Sequence, residues 1–127
     1  MKVGIKNQIK KTVVEELTAK VMGSGRLDVF ATPAMVAMME EAAHTSVEAE
    51  LEEGQGTVGT SMTVSHIAAT PVGMEVTCES ELVEVDGRKL VFEIKAMDEA
   101  GLIGEARHER FIIENEKFLA KTNAKLK

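Results

Sequence analysis

Glu40 is the residue of this 127-residue sequence whose placement most suggests chemistry. It lies in the segment PAMVAMMEEAAHTSVEAEL, and at helical spacing it shares one face with Val36, Ala43, Val47 and Leu51. Its neighbour Glu41 falls on the opposite, polar face and is predicted to be solvated. A carboxylate on an apolar face must be paired, be protonated or act on a substrate, because burying it alone is costly. Glu40 is therefore predicted to be either an acid or base, or a core carboxylate satisfied by a neighbouring donor.

The start of the same helix is a second candidate. Thr32 is a good N-cap, and Pro33 is favoured at the first helical position. The first N–H groups of a helix have no intrahelical partners and carry partial positive charge. Together with the Thr32 hydroxyl they could polarise a carbonyl or hold an oxyanion. The plainer interpretation is that Thr32 only caps the helix.

His66 is the third candidate, because it follows Val58, Met62 and Val64 on a strand face that should meet the helix. Its ordinary pKa suits proton transfer, although a lone inward histidine is also a common core residue. The other histidines, His44 and His108, have no partner at ligand spacing. Because the sequence contains neither HExxH nor CxxC, we expect no metal site.

Spacing limits how these groups cooperate. Thr32 and Glu40 are eight residues apart, which is about 12 Å along an ideal helix. A substrate carbonyl could lie between them, or one of them could act across a dimer interface, and the sequence alone does not choose. Gly54 to Gly59 formally match GxGxxG, but the strand and helix are in the wrong order for a dinucleotide site. Gly59, inside a strand, permits close approach of a ligand.

The predicted elements that position these groups are one long helix and four or five antiparallel strands. Residues 2–14 are predicted to form an edge strand, 21–26 a mobile glycine-rich loop, and 32 to about 53 the helix. Further strands are predicted at 57–66, 74–82, 90–96 and 102–113, where Asp86-Gly87 signals a hairpin. The tail, 114–127, is predicted to be a short helix or a frayed end. This α+β pattern suggests a sheet curled around the helix, with a second subunit covering what one sheet leaves exposed.

Composition favours one domain spanning residues 1–127. The net charge of −6 argues against a nucleic-acid partner. The N-terminus lacks the apolar core of a signal peptide, and no segment has the apolar length of a membrane span, so no membrane partner is expected. The single cysteine, Cys78, cannot form an internal disulfide, which fits a cytoplasmic location.

Three runs of the sequence resemble a known family: VFATPAMVAMMEEAAH, GTVGTSMTVSHIAATPVGMEVT and GEARHERFIIENEKF. In order and spacing they are similar to the fluoroacetyl-CoA thioesterase-like branch of the hotdog-fold thioesterases. The resemblance extends over nearly the whole chain from about residue 20. It implies a hotdog fold, and a homodimer, or a larger homo-oligomer, with active sites at the subunit interface. It also implies hydrolysis of an acyl-CoA thioester without a metal or other cofactor.

The resemblance also assigns residues. It implies catalytic roles for Thr32, Glu40 and His66, a glycine near the thioester at Gly59, and a substrate-binding arginine at Arg110. We further expect Phe30 and Pro33, which flank Thr32, to contact the substrate. Where the fluoroacetate-specific member carries aromatic residues before the helix, this chain reads GSGR from position 23. The fluorine-selective lid is therefore not expected.

The mechanism predicted from this resemblance has the helix start, Thr32 and the Gly59 backbone bind the thioester oxygen. Glu40 then activates water or attacks the carbonyl, and His66 orients Glu40 or the nucleophile and shuttles the proton. Arg88, Lys89, Lys117 or Lys121 could form a local basic rim for the coenzyme A phosphates, and the plainer interpretation of each is a solvated surface charge. Two alternatives stay open: a non-catalytic dimer that binds acyl-CoA as a sensor or carrier, and an enoyl-CoA hydratase or dehydratase.

Overall fold

The computed structural model describes residues 1–126, which form one antiparallel sheet with a helix across it. The sheet has five strands in the order β1-β3-β4-β5-β2. Their bounds are Lys6–Thr12 (β1), Gln55–His66 (β2), Glu75–Asp86 (β3), Lys89–Asp98 (β4) and Gly101–Glu114 (β5). The strands from β3 to β5 follow one another by short turns, as the sequence predicts, and β2 and β1 form the two edges.

Three α-helices accompany the sheet within residues 1–126. Their bounds are Ala19–Met22 (α1), Thr32–Ser46 (α2) and Asn115–Asn123 (α3). Of these, α1 and α2 lie between β1 and β2 in the chain, and α3 follows β5. The predicted mobile loop at 21–26 therefore begins inside the single turn of α1, and the predicted tail contains α3. Within residues 1–126, no helix combines the length and the apolar character needed to cross a membrane.

The long helix is shorter than its sequence pattern predicts. It ends at Ser46, and a 3-10 turn at Glu48–Glu50 replaces the expected continuation to about residue 53. The hydroxyls of Thr45 and Ser46 donate to the carbonyls of Glu41 and Ala43, a local alternative that weakens the last turn. Leu51 consequently lies outside the helix, so the predicted apolar stripe does not reach it.

The core is the layer between α2 and the sheet. The helix contacts β1, β3 and β4, and it buries six small or flexible side chains: Ala34, Met35, Met38, Met39, Ala42 and Ala43. From β4 the sheet contributes Leu90, Phe92, Ile94 and Ala96, all buried as the alternation predicts. Gly104 makes this close approach possible, since a Cβ there would lie 2.8 Å from both the Met35 side chain and the Ser65 carbonyl.

A β-bulge in β2 changes which of its residues face the helix. The pairing with β5 shifts between Gly59 and Ser61, so Thr60 is the extra residue. Met62 pairs with the inward His108, and on the other side of the bulge Gly59 pairs with the inward Arg110. The prediction that Val58 faces the helix together with Met62 is therefore wrong, because the bulge reverses the alternation before residue 60.

Candidate active site

The first half of the site lies at the start of α2. The N-cap is Ala31, whose carbonyl accepts from the Met35 N–H at 3.0 Å, and Thr32 is already helical. The Thr32 side chain makes no capping bond. Its hydroxyl instead lies 2.7 Å from Nδ1 of His66. The prediction that Thr32 is the cap is wrong by one residue, and the shift leaves its hydroxyl available to the histidine.

His66 ends β2 in a partly apolar setting. The buried ring of Phe30 meets the imidazole edge-on, with centroids 6.4 Å apart. Burial lowers the pKa of His66 below its ordinary value, which favours the neutral imidazole. Its Nε2 is buried and has no hydrogen-bond partner among residues 1–126. A neutral imidazole that is hydrogen-bonded to a hydroxyl can exchange a proton with it. The ring of Phe30 packs against that imidazole. Pro33, beside Thr32, is exposed.

The second half of the site surrounds Glu40. Its Oε2 accepts from NH1 of Arg110 at 3.2 Å, and Nε2 of His108 lies 3.9 Å from the same oxygen. Arg110 is buried and donates further, from Nε to the Thr57 hydroxyl at 2.9 Å and from NH2 to the Thr57 carbonyl at 3.0 Å. Burial lowers the pKa of Arg110, and the adjacent Glu40 opposes that shift. Glu40 is thus a paired carboxylate.

Gly59 leaves the room that the Glu40 carboxylate occupies. A Cβ at Gly59 would lie 2.7 Å from Oε2 of Glu40, 3.2 Å from Cε1 of His108 and 3.3 Å from NH1 of Arg110. In this structure the missing side chain therefore accommodates the carboxylate itself. Any contact between the Gly59 backbone and a thioester stays a prediction.

Burial does not distinguish Glu40 from Glu41, contrary to the sequence-based prediction. Their side chains are 41% and 43% exposed, because Glu40 lies at the border of the buried face and not in its middle. What separates them is their partners. Glu41 pairs with Lys11 at the surface, at 2.9 Å, whereas Glu40 meets a buried guanidinium.

An open groove gives access to the Glu40 half. It is lined by Ala37, Glu40, Glu41, His44, Thr45 and Arg110. Among residues 1–126, the hydrogen bonds and ion pairs of Glu40 engage only Oε2. The other oxygen, Oε1, is therefore the one that can contact water or a ligand in the groove.

The two halves are separate within one chain. Thr32 and Glu40 are eight helical residues apart, about 12 Å, and Gly59 and His66 are seven strand residues apart, about 20 Å. His66 contacts Thr32, and Glu40 contacts Arg110. The predicted orientation of Glu40 by His66 is therefore wrong for residues of the same chain.

His108 and Thr57 belong to the site but were not predicted from the sequence. His108 has no partner at ligand spacing in the sequence, yet its position two residues before Arg110 places both side chains on one face of β5. Thr57 was missed because the bulge in β2 is not visible in the hydrophobic pattern. The two-residue spacing of His108 and Arg110 was the available signal.

Comparison with known proteins agrees with this architecture. Residues 13–116 match the model of a family described as fluoroacetyl-CoA-specific thioesterase. A fluoroacetyl-CoA thioesterase from Streptantibioticus cattleyicolor is 45% identical over 98 residues, which are 77% of this chain and 70% of that protein.

Two solved structures extend the comparison. A threonine-to-serine variant of the fluoroacetyl-CoA enzyme FlK in complex with acetyl-CoA is 36% identical, with 100% of both chains covered and a TM-score of 0.95. A hot-dog-like protein from Thermanaerovibrio acidaminovorans is 22% identical, with 98% of this chain and 93% of that chain covered and a TM-score of 0.89. The predicted hotdog fold is confirmed.

Proposed function

Because the chain belongs to the fluoroacetyl-CoA-specific thioesterase family, we propose that it hydrolyses a small acyl-CoA thioester to the free acid and coenzyme A. The observation that carries this proposal is the Thr32 hydroxyl on the His66 imidazole at an uncapped helix start. The hydroxyl and the helix-start N–H groups can bind the oxygen of a thioester carbonyl, and the imidazole can exchange a proton with the hydroxyl. Glu40, held on one oxygen by Arg110, supplies the base or nucleophile.

In the base route, Glu40 Oε1 removes a proton from water as the water oxygen adds to the thioester carbon. The N–H groups of the first turn of α2 and the Thr32 hydroxyl stabilise the negative carbonyl oxygen. The carbon–sulfur bond then breaks, and the sulfur leaves with the electron pair as a thiolate, which takes up a proton. In the nucleophile route, Glu40 Oε1 bonds to the thioester carbon, the carbon–sulfur bond breaks and the thiolate leaves. Water then cleaves the resulting anhydride, which releases the free acid and restores the Glu40 carboxylate.

We propose that a homodimer joins the two halves of the site. Within residues 1–126, the outer edge of β2 has no strand beside it, and its sequence, QGTVGTSMTVSH, contains no Asp, Glu, Lys or Arg. The opposite edge, β1, carries Lys6, Lys10 and Lys11, which discourage pairing. Antiparallel pairing of β2 with its copy about a two-fold axis would set the His66 end of one strand near the Gly59 end of the other. The proposed site then takes Thr32 and His66 from one subunit and Glu40 from its partner.

The proposed substrate is acyl-CoA without restriction to the fluoroacetyl group. The residues before the helix, Ser24, Gly25 and Arg26, are exposed and provide no aromatic lid. A basic rim at the end of the sheet that holds Arg110 is part of this proposal. Two observations support it: the Arg88 carbonyl accepts from the Ile112 N–H, and α3 follows β5 directly. The proposed phosphate contacts are Lys117 and Lys121 on α3, with Arg88 and Lys89.

Thiol release from a panel of short, branched, aromatic and long acyl-CoAs tests this function. We expect turnover with small acyl groups, and a decrease in kcat of at least roughly 100-fold in Glu40→Gln, as for loss of a general base. A Thr12→Ala variant, altered at an exposed position of the opposite edge strand β1, should retain wild-type turnover. Saturable binding without turnover would support a sensor or carrier instead. Water addition with an intact thioester, seen by mass analysis, would support a hydratase.

A further inference from the structure

The hydrogen bonds of His108 define its protonation state. The side chain is 2% exposed, with Nδ1 2.8 Å from the Ser61 carbonyl and Nε2 3.0 Å from NH1 of Arg110. A carbonyl oxygen can only accept and a guanidinium can only donate. Nδ1 must therefore carry the proton, and Nε2 must present a lone pair. His108 is thus a neutral imidazole with a defined tautomer.

We propose that His108 is a positioning residue that, as this neutral tautomer, shares NH1 of Arg110 with Glu40 and so keeps the carboxylate available for chemistry. The proposal rests on the hydrolase function proposed above. His108 does not face the groove that Glu40 and Arg110 line, so it acts through Arg110 and not on the substrate.

The donors of Arg110 show why the third partner matters. Nε and NH2 are held by Thr57, which leaves NH1 to the carboxylate and the imidazole. Without an acceptor at the position of His108, NH1 would have only Glu40 as a partner, and the ion pair would tighten. A tighter ion pair stabilises the ionised carboxylate and lowers its basicity and nucleophilicity. The imidazole therefore keeps the Glu40–Arg110 contact at its observed length of 3.2 Å.

The groups around the ring favour the neutral form. Arg110 lies beside it on β5 and Glu40 approaches from α2, while β4 contributes the apolar ring of Phe92, with centroids 6.3 Å apart. From β2 come the Ser61 carbonyl and Gly59, which has no side chain. Burial and the Arg110 charge lower the pKa of His108, against the opposing influence of Glu40 and the Ser61 carbonyl. A proton on Nε2 would remove the acceptor and set two donors against each other.

Two substitutions separate the two sides of the ring. His108→Gln can place an amide oxygen near the position of Nε2 and keep an acceptor for Arg110. His108→Asn can place an amide N–H near the position of Nδ1 and keep only the bond to Ser61. We expect the Gln variant to retain kcat within a few-fold. The Asn variant should lose roughly 10- to 100-fold in kcat with little change in KM, the range expected for a hydrogen bond to a charged group.

A double-mutant cycle tests the route through Arg110. If His108 acts through that guanidinium, adding His108→Asn to Arg110→Met should cause almost no further loss in kcat. Equal losses in the Asn and Gln variants, or independent losses in the cycle, would overturn the proposal. So would wild-type kcat in the Asn variant.

Nitrogen NMR of the imidazole supplies a readout that does not depend on turnover. The proposal requires His108 to show a protonated Nδ1 and an unprotonated Nε2 at neutral pH, and the opposite tautomer would overturn it. If the Asn variant does not fold, this spectrum and the kcat of the Gln variant still test the proposed role of His108. If the wild-type protein hydrolyses no acyl-CoA, the hydrolase proposal fails while the tautomer is still tested.

Discussion

At the scale of single residues, the partners of a carboxylate matter more here than its burial. Glu40 and Glu41 are adjacent, equally exposed and of one type, yet only Glu40 meets a buried guanidinium. Because Arg110 holds one oxygen, the carboxylate is oriented while its second oxygen stays accessible from the groove. The helical pattern of apolar residues indicates that Glu40 is unusual, but it is the Arg110 side chain on β5 that orients its carboxylate.

Gly59→Ala should disrupt this orientation. The new methyl group would lie 2.7 Å from Oε2 of Glu40, closer than packing allows, so the carboxylate must move away from Arg110. We expect kcat to decrease roughly 10- to 100-fold, the cost of displacing a group that contacts the reacting atoms. Acyl-CoA kinetics measure this, with Thr12→Ala on the opposite edge strand β1 as the control. Unchanged kcat would show that Glu40 tolerates displacement.

The histidines predict how stability depends on pH. His66 and His108 have pKa values lowered by burial. Below about pH 6.5, the ordinary value of an unfolded histidine, the unfolded chain binds protons that the folded chain does not. The free energy of unfolding should therefore be highest above that pH and fall as the pH decreases through the lowered folded values.

Chemical denaturation at pH 5, 6, 7 and 8 measures this dependence. His108→Gln should make it shallower, because glutamine does not titrate, and the rest should disappear when His66 is also replaced. A wild-type stability that rises toward pH 5 would contradict both assignments.

The residues of the site could be predicted from the sequence more fully than their contacts. Thr32, Glu40 and His66 were recognisable by type and spacing, and Arg110 by resemblance to a family. The Thr32–His66 bond depends on the helix beginning one residue earlier than the pattern Thr-Pro indicates. The His108–Arg110 contact depends on the burial of two polar side chains from one strand. Hydrophobic periodicity predicts that such polar side chains face solvent.

At the scale of elements, α2 fits closely against the sheet because both surfaces are shaped for it. The helix presents alanine and methionine, and β5 presents Gly104 beneath Met35. Flexible methionines fill the irregular space that a curved sheet leaves. The strand pattern and the glycine–proline turns were sufficient to predict these elements, while the early end of α2 at Ser46 was not predictable from apolar spacing.

Gly104→Ala tests this packing. Its Cβ would lie 2.8 Å from the Met35 sulfur, which can move, and 2.8 Å from the Ser65 carbonyl, which is backbone. We expect a loss of about 1–3 kcal/mol in the free energy of unfolding, as for other overpacked cores. Adding Met35→Leu should recover only part of it, because the backbone clash persists. Full recovery would assign the whole cost to the methionine, and denaturant titration distinguishes these results.

At the scale of the whole molecule, one chain holds two half-sites that do not meet. The separation follows because Thr32 begins α2 whereas Glu40 lies just past its middle, and His66 ends β2 whereas Gly59 lies in its first half, so no local rearrangement joins them. We propose that a second copy of the chain, paired at the uncharged edge of β2, brings the two half-sites together. The fold was predictable because its alternation and turns are local signals, whereas the division of the site depends on strand order.

Mixing two inactive variants tests the proposed shared site. In a heterodimer of Thr32→Val and Glu40→Gln subunits, one site carries both substitutions and the other carries neither. After random subunit exchange, half of the dimers are mixed, so activity should recover to roughly a quarter of wild type. Thiol release before and after exchange measures this recovery.

Two unmixed controls and a mixture of Thr32→Val with His66→Ala accompany the experiment. The latter pair alters one half-site in both chains, so it should not recover. Recovery there would show that Thr32 and His66 act from different subunits. No recovery with Thr32→Val and Glu40→Gln would place the complete site within one chain. Either result would contradict the proposed division of the site.

The bulge at Thr60 reverses the inward–outward alternation of side chains along β2. On one side of residue 60 the even positions face the helix, and on the other side the odd positions do. Deleting that single residue would make the alternation regular and keep Thr57, Gly59 and Met62 on the helix side, because Thr60 is the extra residue that has no counterpart on β5. In family comparisons, a chain that lacks the bulge therefore needs a one-residue gap at this position, and an ungapped alignment would assign the wrong residues to the site on one side of it.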